Sequence, residues 1–163
     1  MWPEGEGFPE FLSALVGEGS VLEFGCGVGR LASCFDPGCY LGIDVSAFAI
    51  AEAMMLRPSH RFQIIDEAVP PPDADVTLAH TVLLHVPDDA LQAVVDRFES
   101  PRLIISEILG KRWRRTGNPP VFNREMSDYE AALLPRYRLT GRHFRPYPHY
   151  AGTMLTMMEF ARC

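Results

Sequence analysis

Short apolar runs bounded by turn residues alternate along this chain with stretches whose apolar residues recur at helical spacing. Phe8 to Val16 is amphipathic, and Gly17–Glu18–Gly19 breaks it before Val21–Leu22–Glu23–Phe24, a predicted strand. Gly25–Cys26–Gly27–Val28–Gly29 follows, then a short helix over Arg30 to Phe35 stopped by Asp36–Pro37–Gly38. The pattern continues with a strand at Tyr40 to Ile43, a helix from its N-cap Ser46 to Leu56, and a strand at Arg61 to Ile65. Three consecutive prolines, Pro70 to Pro72, forbid a helix in the next crossover. A strand at Asp75 to Ala79, a helix at Pro87 to Phe98 and a strand at Arg102 to Ile108 complete the alternation. It predicts an α/β domain, doubly wound, with a mostly parallel sheet covered on both faces. Beyond Gly110 come a basic loop, a helix at Arg124 to Leu134, and two β-like runs, Tyr137 to Phe144 and Thr153 to Ala161. Their proximity predicts an antiparallel hairpin at one sheet edge.

At 163 residues the chain suits one domain, 1–163, with residues 1–17 as a short N-terminal segment and no room for a second substrate domain. The first residues, MWPEGEGFPE, hold three acids and no Lys or Arg, unlike a secretory leader. No apolar run approaches the roughly 18 residues that cross a bilayer. A cytoplasmic protein without a membrane partner is expected. Cys26, Cys34, Cys39 and Cys163 form no C-x-x-C pair, which points to reduced thiols and to no metal site. The net charge of −6 makes nucleic acid an unfavoured partner. It hides an asymmetry: residues 1–100 carry 16 acids against 4 Arg, whereas 101–163 carry 11 Lys and Arg against 5 acids.

A strand, a glycine-rich turn and a helix at the start of an α/β sheet bring main-chain N–H groups to the strands' carboxyl ends, where ligands bind. A dinucleotide fingerprint fails from Gly25, because its sixth position is Arg30; a relaxed version at Gly27, Gly29 and Ala32 leaves Glu23 and Gly25 unexplained. The only lysine, Lys111, stands in Gly110–Lys111–Arg112, so a phosphate-binding Walker loop is excluded. Glycines at 25, 27 and 29 let the backbone turn and approach a ligand that a Cβ would block. Glu23 would be an acid near the end of a buried strand, costly unless a cation or hydrogen-bond donors meet it.

VLEFGCGVGR resembles the first motif of class I S-adenosylmethionine-dependent methyltransferases, LGIDVS their second, and ADVTLAHTVLLHVPDD their fourth-strand motif. RLIISEI and the closing hairpin fit the family's fifth to seventh strands. The resemblance spans about residues 18–163. It implies a Rossmann-like methyltransferase fold of seven strands with an antiparallel edge strand, and S-adenosyl-L-methionine as cofactor. It further implies cofactor contacts from Glu23, Gly25, Cys26, Gly27, Gly29, Asp44 and Val45. Asp44 would accept the ribose hydroxyls, Asp66 or Glu67 would lie near the adenine amino group, and His80, with Ala79 and Thr81, near the methionine part. The proline-rich crossover departs from the short helix many relatives keep there.

The implied reaction passes a methyl group to a small-molecule acceptor at oxygen, nitrogen or carboxylate. An oxygen nucleophile needs a base, for which His149, His80 and His143 are the candidates; His149 is favoured by its aromatic loop, and His85 is read as a packing residue. Lys111, Arg112, Arg114 and Arg115, with Arg124, Arg142 and Arg145, suggest an anionic acceptor. Trp2, Phe8 and Phe11 are candidates for a lid, and a homo-oligomer is the other way to cover the pocket. The alternatives are a noncatalytic cofactor-binding module and an NAD(P)-dependent oxidoreductase.

Overall fold

The computed structural model describes residues 7–110, 117–147 and 152–163. Seven strands, β1 (Val21–Phe24), β2 (Tyr40–Asp44), β3 (Arg61–Ile64), β4 (Val76–His80), β5 (Arg102–Glu107), β6 (Tyr137–Pro146) and β7 (Met154–Arg162), are joined with helices α1 (Phe8–Val16), α2 (Ala47–Leu56), α3 (Asp88–Val95) and α4 (Met126–Leu133). The strands form one sheet in the order β3-β2-β1-β4-β5-β7-β6. The first five pair in parallel, and β7 runs antiparallel to both β5 and β6. The terminal hairpin thus sits at one sheet edge as the sequence pattern predicts, with β6 outermost.

Side-chain alternation along the strands splits the core in two. Leu78 and Ile104 face α1 and α2, where Leu12, Val16, Ile50 and Ala53 pack with Tyr40, Phe62 and Met157. Their neighbours Ala79, Leu103 and Ile105 face α3 and α4, packing with Leu91, Val95, Tyr129 and Leu133. Central strands covered on both faces read as continuous apolar runs, and all four residues of β1 are buried, Glu23 included. At the open edge, β6 alternates exposed and half-buried positions after Tyr137.

Where the predicted helix over Arg30 to Phe35 should stand, the structure has only a 3-10 turn, Ala32–Cys34, with the Cys34 N–H donating to the Leu31 carbonyl at 2.9 Å. Between Gly29, at φ +71°, and the Asp36–Pro37–Gly38 turn too little chain remains to repay α-helix nucleation. The last helix begins at Met126 rather than Arg124, because the Asp128 carboxylate accepts the Glu125 N–H at 2.8 Å and so caps the helix there. Arg124 is left in the loop ahead of it.

That arginine and Glu107 hold the loop that follows β4. Glu107 is fully buried at the end of β5, and its Oε1 accepts the N–H groups of Leu83 and Leu84 at 2.8 and 3.3 Å. Arg124, 3 % exposed, donates to the carbonyls of Leu83 (2.7 Å) and Val86 (2.6 Å) and to Asp88 Oδ1 (2.9 Å). A second 3-10 turn, Leu83–His85, is therefore tied down through both its N–H and its C=O groups.

Burial pushes the Glu107 carboxyl up to about 8 against the lowering effect of the backbone N–H bonds and of Arg124. A carboxyl whose pKa is higher in the folded chain favours folding at low pH, and this advantage disappears as the pH climbs from about 4.5 to about 8. Half-buried His80, pushed down from 6.5 to about 3 by loss of water, costs stability only below pH 6.5. The melting temperature should therefore fall as pH rises from 6.5 to above 8. Glu107→Gln, which keeps an acceptor oxygen without the charge, should flatten that fall; it should not abolish it, since Glu23 titrates near 7. A slope identical to the parent's in thermal melts would show that Glu107 is not the titrating group.

Candidate functional site

The sheet order reverses between β1 and β4: from β1 the chain winds outward to β2 and β3, and then returns to place β4 on the other side. At such a switch point the loops leaving the two carboxyl ends diverge and leave a crevice. Here they are the glycine turn after β1 and the segment Thr81–Val82 after β4. Together with Glu23, Val28, Arg30, Leu31, Asp44, His80 and His85 they enclose a cavity of about 410 Å³, within the size range of small-molecule sites.

Two glycines shape it in opposite ways. A Cβ on Gly25 would stand 2.1 Å from Val82 Cγ2, so the two loops touch only because that position has no side chain. A Cβ on Gly27 would meet nothing within 4 Å; it would project into open space. Both lie at positive φ, +73° and +53°, which side-chain-bearing residues rarely adopt.

Asp44, at the end of β2, is half-buried and accepts the Gly27 N–H through Oδ2 and the Ser46 N–H through Oδ1, both at 2.9 Å. Each oxygen keeps lone-pair capacity for a further donor, such as a pair of vicinal hydroxyls. Ser46 caps α2 by accepting the Ala49 N–H at 3.2 Å. Glu23 is 3 % exposed and accepts the Tyr40 hydroxyl. Burial pushes its carboxyl up to about 7, with Asp44 adding to the rise and Tyr40 and Arg30 opposing it. The Cys26 thiol is driven upward by burial and then by Glu23, so it stays protonated; its Sγ donates to the Gly27 carbonyl at 3.6 Å.

On the facing loop, His80 Nδ1 lies 3.0 Å from Ser106 Oγ and its ring packs against Phe8 at 5.8 Å. Burial, and then the nearby Arg30 charge, push it down to about 3, so the ring is neutral. Thr81 follows at φ +48°, a strained conformation pinned by its N–H to the Ser106 carbonyl at 2.7 Å. Phe8 brings the start of α1 against His80 as a buried core residue and lines neither cavity.

A second cavity, about 540 Å³, shares Arg30, Thr81 and His85 with the first and adds Leu84, Ile108, Gly117, Asn118, Pro119, Val121 and Tyr147. His85 therefore stands on the wall common to both. Its Nδ1 lies 2.8 Å from the Pro120 carbonyl, an acceptor, so Nδ1 carries the proton and Nε2 presents a lone pair when the ring is neutral. Sequence reading treats this histidine as packing; the one signal for it is its place in a turn just past a strand's carboxyl end.

The residues expected from the sequence divide between the cavity and other parts of the fold. Glu23, Gly25, Cys26, Gly27, Asp44 and His80 line the first cavity, whereas Gly29 is buried behind it and Val45 is exposed outside it. Asp66 and Glu67 are exposed; Asp66 borders a separate small depression with Pro70–Pro72 and Arg97. His143 is on β6, with Nε2 2.8 Å from Glu159 Oε1 and its ring edge-on to Phe11, and lines neither cavity. Arg145 packs over Phe11 at 3.8 Å, and Arg142 is exposed on β6. His149, Trp2 and the basic run 111–115 lie outside the described residues. Among the described residues, no helix is long and apolar enough to cross a membrane.

No family model and no curated protein sequence matches this chain. Solved structures do. Magnesium protoporphyrin IX methyltransferase from Synechocystis PCC 6803, with bound SAM, superposes at a TM-score of 0.73 with 19% identity, over 95% of this chain and 78% of that one. The YcgJ protein of Bacillus subtilis gives 0.71 with 13% identity, over 94% and 97%. Mitomycin 7-O-methyltransferase MmcR gives 0.71 with 19% identity, over 95% of this chain and 53% of that one. The chain has the seven-stranded, Rossmann-like fold of these structures.

Proposed function

We propose that this protein is an S-adenosylmethionine-dependent methyltransferase acting on a small-molecule acceptor. The observation that carries the reading is the pair of adjoining cavities at the switch point, one walled by Glu23, Gly27 and Asp44, the other lined by Leu84, Ile108 and Val121 together with polar groups such as Asn118 and Tyr147, with Thr81 and His85 between them. The first cavity suits an adenosyl amino acid. Gly27 leaves open the space that a Cβ would occupy, Asp44 retains acceptor capacity for ribose hydroxyls, and the buried Glu23 carboxyl can meet an ammonium. When bound there, the cofactor supplies a methyl group on a sulfonium. A dinucleotide is less well served, because no α-helix follows the glycines to bring its N-terminus to a pyrophosphate.

The chain's own part in methyl transfer is chiefly positioning. Glu107 and Arg124 hold the turn that carries His85, so the ring is presented to the second cavity in a set orientation. His85 Nε2 takes the proton from an acceptor hydroxyl or amine, and the Pro120 carbonyl holds the tautomer required. His80, already hydrogen-bonded and neutral, serves the cofactor wall. Leu84, Ile108, Pro119, Val121 and Tyr147 fit an acceptor with an apolar body and exclude water from it. An anionic acceptor has less support, because Arg124 is committed to Asp88 and backbone carbonyls and Arg145 to the Phe11 ring.

Titration calorimetry should show binding of S-adenosylhomocysteine and no response to NAD or NADP; the opposite result would overturn the assignment. Asp44→Ala should weaken S-adenosylhomocysteine by about 1.5–3 kcal/mol through lost charge-assisted hydrogen bonds. Gly27→Val should abolish that binding while the terminal hairpin stays folded, as read by amide exchange. With a hydroxyl-bearing acceptor identified from a panel of apolar phenols and alcohols, His85→Ala should lower kcat by roughly 10²- to 10⁴-fold and leave S-adenosylhomocysteine affinity unchanged.

A further inference from the structure

A surface helix of a globular domain ordinarily turns a charged or polar face to water. α2 does not. Its inward residues Ile50 and Ala53 are buried in the core, yet Ala47, Phe48, Ala51, Met54 and Met55, all exposed, are apolar as well, and its one charged residue, Glu52, is half-buried. Phe48 is 79% exposed and Met55 82%. Of the ten large apolar side chains exposed among the described residues, seven stand between Val45 and Val69, on α2, β3 and the segments beside them. At roughly 150–200 Å² a side chain, the exposed parts of Val45, Phe48, Met54, Met55, Leu56 and Ile64 amount to on the order of 600 Å². That is the upper end of what a monomer leaves in water, and it approaches the about 800 Å² that each partner brings to a standard interface. Beside Met54 a shallow depression of about 530 Å³ is lined by Leu41, Pro58 and Phe62 together with polar groups.

We propose that α2 packs antiparallel against α2 of a second copy of this chain, about a two-fold axis at Ala51, and that the protein is a homodimer through this face. The exposed residues are self-complementary about that axis, as an isologous contact requires. Phe48 precedes Ala51 by three residues and Met54 follows it by three, so Phe48 of each copy meets Met54 of the other and the depression beside it. Ala47 and Met55 stand four residues to either side and pair small against large. Ala51 on the axis, with only a methyl group, allows the two backbones to approach. An anionic lipid surface is a poor occupant, because it recruits helices with a basic polar face, whereas α2 carries no Lys or Arg and residues 1–100 hold 16 acids against 4 Arg. No residue of α2 lines either cavity, so the proposal does not depend on the methyltransferase reading.

Analytical ultracentrifugation of the full chain should show a dimer at micromolar concentration. Phe48→Glu and Met55→Glu, at positions already exposed in the single chain, should each weaken the dimer by about a hundredfold while thermal unfolding stays cooperative. In a Cys39→Ser, Cys163→Ser background, Ala51→Cys should form an intermolecular disulfide on oxidation, because a residue on the axis meets its own copy, and Thr140→Cys on the far sheet edge should not. A chain that stays monomeric at about 100 μM would overturn the proposal. A dimer that survives both glutamate variants, or one that cross-links through position 140 instead, would overturn it too, since the contact would then lie on another face. Flotation of the wild type, but not of Met55→Glu, with vesicles of phosphatidylcholine and phosphatidylserine would overturn it in favour of a lipid surface.

Discussion

The near-collision of two loops governs the site. The turn after β1 and the segment after β4 approach so closely that only a hydrogen fits at Gly25 against Val82. The contact fixes how far the crevice at the switch point can open and which atoms form its walls. Gly27, two residues on, has open space in front of it, so one short turn both closes the floor of the crevice and leaves its chamber empty. Asp44 then ties the turn to the neighbouring strand by taking the Gly27 N–H, which makes the residue best placed to bind a ligand also part of the frame around it.

Two buried carboxyls in this frame serve different ends. Glu107 has N–H partners and a nearby Arg124, and it organises backbone; its Oε2 has no hydrogen-bond partner among the described residues. Glu23 has the Tyr40 hydroxyl and an open cavity beside it. Both are raised by loss of water, yet only Glu23 stands where an incoming cation can replace that water. The first group maintains the shape of the acceptor wall; the second is held in readiness for charge.

The doubly wound alternation was readable in the sequence because strands buried on both faces need near-continuous apolar runs, and the glycines, prolines and Asp–Pro–Gly turn punctuate them. Glu23 and Asp44 were legible for a related reason: an acid is conspicuous at the end of an apolar run. The helix over Arg30 to Phe35 was misread because apolar spacing says nothing of how much chain is left between two turns. Arg124 reads in the sequence as one of a basic group facing an anionic acceptor, because only the fold brings Asp88 and two carbonyls around it.

The sequence by itself determined the order of elements, the parallel centre, the antiparallel close and the carboxyl-end position of the glycine turn, since each follows from local pattern and chain sterics. Tertiary structure alone decided that His85 and Arg30 share a wall between two cavities while His143 and Arg145 turn to the Phe11 side. Which polar side chains meet is set by strand order and by contacts between residues far apart in the chain, and the periodicity of a single segment carries no record of either.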